Sequence, residues 1–262
     1  MKKIIYSVLA VFTMFSCTPP MYIPNTTNTP SLKYKGDMEA SYSTGTNGHD
    51  LQTAYAVSDD YGVMLNLSLG NEKNDSSANF LKHNFFEGGF GRTFILNKDS
   101  DKETKSMFTV FSGFGYGSTK GLVNFSNIFD IDLNYTNDIE GSLFRVFIQP
   151  SIGLSSDNID FFFTLRTSYV NVYKLETNME ADWQGSYVSD EDYNKYLELI
   201  NRKPYNIFVE PTITLKVGGT VKGFFQLGAS FGTTPNIETT FRQRPIIALI
   251  GLQVDLNRLQ SF

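Results

Sequence analysis

The sequence predicts an all-β protein: an antiparallel up-and-down transmembrane β-barrel of about ten strands, with a short helix in its longest outer loop. Three observations carry this expectation. Segments of period-two hydrophobicity recur along the chain. Their typical length is about ten residues, which suits a tilted strand crossing hydrocarbon. The connections between them alternate between long and tight. No 3.6-residue apolar stripe runs through the body, and no internal repeat is evident.

The segments lie near 36–45, 50–58, 61–70, 83–96, 106–119, 142–155, 159–174, 206–217, 221–232 and 245–256. In the third, Val63, Leu65, Leu67 and Leu69 share one face while Met64, Asn66 and Ser68 share the other. In the fifth, Phe108, Val110, Phe114 and Tyr116 oppose Thr109, Gly113, Gly115 and Gly117. In the sixth, Phe144, Val146, Ile148, Ile152 and Leu154 oppose Arg145, Gln149, Ser151 and Gly153. The seventh sets Phe161, Phe163, Leu165 and Tyr169 against Thr164, Arg166 and Ser168. The eighth sets Ile207, Val209, Ile213, Leu215 and Val217 against Glu210, Thr212 and Thr214. The tenth sets Ala248, Ile250, Leu252 and Val254 against Gly251, Gln253 and Asp255.

The polar face is rich in Gly, Ser and Thr, and its charges are few and balanced. Glu87 and Glu210 match Arg145 and Arg166 in number; with Gln149 they form the expected polar network of a side-chain-filled lumen. A soluble β-sandwich also alternates, but its polar face is wet and charge-rich. The apolar face would meet lipid, with Tyr61, Tyr116, Phe161, Tyr169 and Tyr173 as interfacial anchors. In lipid every strand edge must be paired, so the sheet must close.

With both barrel ends on the periplasmic side, the outward connections are 46–49, 71–82, 120–141, 175–205 and 233–244. The inward ones are Asp59-Asp60, 97–105, Ser156-Asp157-Asn158 and Gly218-Gly219-Thr220. Four of the five outward connections are long and three of the four inward ones are tight, which is the bacterial barrel pattern. Within 175–205, the stretch Asp190 to Arg202 reads as a helix: Ser189 caps it, acids fill its first turn, and Tyr193, Tyr196, Leu197 and Ile200 share one face. It reads as a packed surface loop or as a lid.

The front end reads as an export signal, residues 1–16. Met1-Lys2-Lys3 is basic, and Ile4 to Phe15 is an apolar run too short for a transmembrane helix. Cys17, the single cysteine, follows Ser16 and is the expected lipid-attachment site. Residues 17–33, with Pro19, Pro20, Pro24 and Pro30 among polar residues, read as an extended lipidated tether ahead of the barrel at 34–262.

Two features fit less well. Arg92 shares parity with the lipid-side Phe86, Phe90 and Phe94. Either a bulge at Gly88-Gly89 or a snorkelling position at the inner interface would accommodate it. The terminal Phe262 resembles a barrel assembly signal, although the last strand ends near Leu256.

Composition and motifs exclude several classes of function. A net charge of −5 gives no polyanion surface, so nucleic acid is not an expected partner. His49, Asp50 and His83 at the outer rim are the one candidate for a general base, and the two histidines read as solvated loop residues. No His/Cys spacing suits a metal, and Asn97 to Asp101 lacks the Gly and distal Glu of a calcium loop. The alternating Gly113, Gly115 and Gly117 lie on a strand, not at a phosphate-binding turn. No cofactor, metal or enzymatic activity is expected. A ten-stranded lumen is largely filled by side chains, which argues against an aqueous pore.

The run Cys17-Thr-Pro-Pro-Met-Tyr22, with Pro24-Asn25, Asn28-Thr-Pro30-Ser-Leu32 and Gln52-Thr-Ala-Tyr55-Ala-Val57-Ser-Asp-Asp-Tyr-Gly62, resembles small outer-membrane β-barrel lipoproteins of the Bacteroidota. The likeness is sharp over residues 17–70 and generic beyond. It implies an envelope location and a barrel, and it carries no activity or site residues. Surface-displayed lipoproteins of that phylum carry acidic residues after the lipidated cysteine. Thr18-Pro19-Pro20-Met21 has none, which favours the inner leaflet.

The expectation is therefore an outer-membrane lipoprotein with a structural or interaction role, lipid-anchored at Cys17, with loops 71–82, 120–141 and 175–205 turned outward for a protein partner. The alternatives are a narrow pore, a small-molecule or lipid-handling barrel (a rim enzyme included), and a tethered soluble β-sandwich.

Overall fold

The computed structural model describes residues 22–73, 80–97, 103–124, 136–177, 205–233 and 245–259. The signal segment, Cys17, the calcium-like loop beyond Asn97, the helix expected at 190–202 and Phe262 lie outside the described residues.

The strands are β1 (Met38–Gly45), β2 (Gly48–Ala56), β3 (Tyr61–Lys73), β4 (Phe80–Ile95), β5 (Lys105–Asn124), β6 (Thr136–Ser155), β7 (Ile159–Thr177), β8 (Tyr205–Gly218), β9 (Val221–Ala229), β10 (Phe231–Gly232) and β11 (Ile246–Asp255). Neighbours in sequence pair antiparallel, β9 pairs with β11, and β11 pairs with β1, so the sheet closes. β10 continues β9 past Ser230 in the same register on β8, so the two make one strand of a ten-stranded barrel. Closure rules out the β-sandwich. Carrying the register once round the sheet returns to β1 about 12 residues along, which corresponds to a strand tilt of about 40°.

Tight connections gather at one end: Val57 to Asp60, Ser156 to Asn158, and the Gly218-Gly219-Thr220 turn. Gly218 has φ +140° there, and an added Cβ would collide with the carbonyl oxygen of Val221, so glycine is needed. At the opposite end β1 and β2 meet in the short Thr46-Asn47 turn, while β5 and β6 run for 20 residues each.

The strands reach further than the hydrophobic pattern suggests. Residues 71–73 and 80–82 belong to β3 and β4, 120–124 and 136–141 to β5 and β6, and 175–177 to β7. His49, expected in a loop, lies in β2. The physical reason is that a backbone ladder needs only partners, whereas the apolar signal ends where apolar side chains stop being required. Lys120, Glu140 and Glu176 read as loop, yet they are paired strand residues.

Arg92 points outward with no bulge at Gly88-Gly89, since β4 keeps one register with both neighbours. It sits at the tight-turn rim, where its guanidinium pairs with Asp60 at 3.1 Å and covers the rings of Phe94 and Tyr61. Among the described pairings, the register shift falls instead between Ser142 and Leu143 of β6, against β7.

Candidate functional site: a lumen plugged by the N-terminal segment

Residues 22–32 are buried throughout. They run inside the barrel, so this part of the expected tether is a lumenal plug. The direction of the thread follows from its partners. Tyr22 stacks on Phe208, with ring centroids 4.4 Å apart, and bonds Arg145. Both partners lie ten residues above the tight-turn ends of their strands, Gly218 and Ser155. Ser31 bonds Glu39 and Asp160, each next to the tight-turn end of its strand. The plug therefore descends along the axis by about 25 Å, given a strand rise of about 3.3 Å per residue and this tilt.

Its upper part is an ionic network. Arg145 pairs with Glu87, and Arg166 Nε donates to Glu210 Oε2 at 2.6 Å; all four side chains are at most 1% exposed. Arg166 also lies 3.7 Å from Glu87. Asn25 is the centre of this group. Its Oδ1 accepts from Arg145 Nη2 (2.6 Å) and Arg166 Nη1 (2.9 Å), and its Nδ2 donates to Glu87 Oε1 (2.9 Å). Tyr22 Oη accepts from Arg145 Nη1 (2.7 Å) and donates to Glu210 Oε1 (2.9 Å). Two cations meet two anions, so the buried charge cancels. Removing one member would leave a net charge buried in the lumen.

Below this, barrel side chains satisfy the plug's backbone. Among the described residues, 23–32 take no part in a strand, so side chains supply partners for their buried amides and carbonyls. Gln226 takes both groups of Thr27: Oε1 accepts from its N–H and Nε2 donates to its carbonyl, each at 2.9 Å. Gln52 donates to the carbonyl of Thr26 (2.8 Å), Gln149 to that of Asn28 (2.6 Å), Arg166 to that of Asn25 (2.9 Å) and Lys216 to that of Thr29 (2.6 Å). Asp50 accepts from the N–H and hydroxyl of Thr26. Pro24 and Pro30 flank this stretch and bring no amide to satisfy.

At the lower end Leu32 packs with Ala54, Ala56, Met64, Phe111 and Phe147. The chain then leaves through a polar vestibule of about 380 Å³ that includes Lys33, Asp37, Glu103, Lys105, Lys222 and Asp255. The N–H groups of Lys33 and Tyr34 bond Asp37 there.

Of the expected polar network, Glu87, Arg145, Arg166 and Glu210 form one connected group, and Gln149 sits lower, on Asn28. Asn25, Asp50, Gln52, Lys216 and Gln226 were not among the expected members. One signal for them exists in the sequence: the polar Asn25-Thr-Thr-Asn-Thr29 run has the same amide character as the inward Gln52, Asn66, Gln149 and Gln226. The glycines of β5 do make room, but for inward aromatics. A Cβ on Gly115 would lie 2.5 Å from the Phe85 ring, and one on Gly113 would lie 2.7 Å from Phe147.

The candidate rim base does not assemble. His49 faces outward and bonds Tyr42 Oη at 2.8 Å, while the adjacent Asp50 faces the lumen. His83 is lumenal and touches Ser68 at 3.2 Å. Among the described residues no group of three or more His, Cys, Asp or Glu is arranged for a metal.

The outer wall is the converse of the lumen. Val146, Ile148, Ile152, Phe163, Ile213, Leu227 and Ile250 are among its exposed side chains. Among the described residues, outward positions from Ser142 to Leu154, Ile159 to Asn171, Tyr205 to Val217, Val221 to Phe231 and Ile246 to Val254 hold no Asp, Glu, Lys or Arg. Tyr205, Tyr169 and Phe144 form a connected aromatic row near the long-loop end, and Tyr61 with Phe90 and Phe94 with Phe108 form contacts toward the other. Comparison with protein-family models and with curated proteins finds no match to this chain.

Proposed function

We propose that this chain is an outer-membrane lipoprotein whose barrel spans the bilayer as a closed, self-plugged body. Its role on this reading is structural or interactive, exercised through the long loops rather than by conduction or chemistry. The observation that carries it is the apolar outer wall, which continues from strand to strand around the sheet and carries charges such as Lys82, Arg92 and Lys120 only toward its two rims. Folded soluble proteins rarely expose apolar patches beyond a few hundred Å². From Ile159 to Tyr169 the wall rises by about 25 Å, matching the apolar band of outer-membrane barrels. The export signal, Cys17 and the likeness to Bacteroidota barrel lipoproteins support the same location. The filled lumen argues against the narrow pore, and the separation of His49 from Asp50 and His83 argues against the rim enzyme.

The test uses membranes from cells expressing the full chain and its Cys17→Ala variant. The expected result is a band that runs faster unboiled than boiled, and retention in membranes after alkaline carbonate with or without Cys17. A Cys17→Ala protein that washes off, with no heat shift, would overturn the reading.

A further inference from the structure

The thread fixes which mouth the N-terminus uses. We propose that the chain preceding Tyr22 emerges at the long-loop mouth, so that the acyl anchor on Cys17 lies in the outer leaflet; this rests on the membrane-spanning lipoprotein reading above. The barrel's own first strand starts at the tight-turn end, at Met38. The plug reverses that position, because it runs upward from Ser31 to Tyr22 before the N-terminus is reached. The β1–β2 hairpin is the lowest part of the upper rim, and Asn47 in its turn donates to the carbonyl of Pro24. Tyr22 is therefore at the level of that rim.

Covalent reach does the rest. Cys17 is five residues from Tyr22, a span of at most about 18 Å. Returning to the tight-turn mouth would take about 25 Å through a lumen already filled by residues 22–32. An acyl chain anchored beside the tight turns is out of reach, whereas the leaflet around the β1–β2 rim is within it. This reverses the leaflet expected from the lack of acidic residues after Cys17. The consequence is a lipoprotein that carries its own N-terminus across the membrane through its own barrel, held by the Asn25 contacts to Glu87, Arg145 and Arg166.

The test compares amines on two sides. Thr18→Lys places a new amine next to the anchor, and the native Lys35 is exposed at the tight-turn end. Intact cells are treated with a membrane-impermeant amine reagent and the protein's peptides are weighed. The expected result is at least ten-fold more label at residue 18 than at Lys35, with the difference vanishing once the outer membrane is permeabilised. Label on neither residue until permeabilisation would overturn the proposal. An epitope in the 178–204 loop is read in parallel by antibody. If that epitope is displayed while residue 18 is hidden, only the leaflet inference fails. If it too is hidden, or Lys35 labels freely on intact cells, the membrane-spanning reading fails with it. An eight-residue epitope between Thr18 and Pro19, in protein that keeps its heat shift, is the second variant and must give the same side.

Discussion

The two faces of each strand obey different rules. The outer face of β6 reads Phe144, Val146, Ile148, Ile152, Leu154, and any apolar residue of similar size would serve there. The inner face reads Leu143, Arg145, Phe147, Gln149, Ser151, and each polar member has its own partner on the plug or another strand. On the proposed membrane-spanning reading the wall meets lipid, a uniform solvent that asks only for apolarity. A lumen is a particular set of contacts, so it is sensitive to single changes that the wall would absorb.

That contrast is open to graded tests. The largest effect is expected at Arg145. Arg145→Ala leaves Glu87 buried against Arg166 alone and should cost about 3–5 kcal/mol, read as the urea midpoint of the heat-modifiable band. A double Arg145→Met, Glu87→Gln variant should recover much of this loss, because no unpaired charge remains. Next comes the wall: Ile148→Arg should cost about 2–4 kcal/mol near the bilayer midplane. An Ile148→Arg protein as stable as the parent would contradict a lipid-facing wall. Gln226→Ala should cost about 1–3 kcal/mol by stranding both backbone groups of Thr27. The same assay should find Arg92→Leu close to neutral, since its pairing with Asp60 is half-exposed at the rim.

A separate experiment bears on the plug as a whole. Purified protein lacking residues 22–32 should conduct ions in a planar bilayer where the full chain does not. Conduction by the full chain would favour the narrow pore instead.

The same contrast explains what was legible beforehand. Strand existence, order and facing followed from parity, because alternation is a local property: Val63, Leu65 and Leu67 report their side of the sheet without reference to any partner. The four charges Glu87, Arg145, Arg166 and Glu210 were also visible, since a charge at inward parity must be paired. The plug was not visible. Pro24, Asn25 and Thr26 to Thr29 carry little apolar surface, and by composition alone they are indistinguishable from a solvated linker. What buries them is the complementary set Gln52, Asp50, Gln149, Lys216 and Gln226, spread over several strands and brought together only by closure. The inward Phe85, Phe111 and Phe208 were equally hidden, because an aromatic at inward parity breaks the alternation that reveals the strand.

Whether residues 22–32 lie inside the barrel is tested most directly by a cross-link. Thr26 Oγ1 and Ser43 Oγ are 3.3 Å apart, one on the plug and one on β1. That spacing suits a disulfide between cysteines at these positions. The Thr26→Cys, Ser43→Cys protein, oxidised in isolated membranes, should form an intramolecular disulfide that links the two peptides in a non-reduced digest. The pair Thr26→Cys, Ser156→Cys, reaching toward the tight-turn end, should not. A doubly substituted protein that keeps its heat shift and forms no Thr26–Ser43 cross-link would contradict the plug, and would return residues 22–32 to a tether outside the barrel.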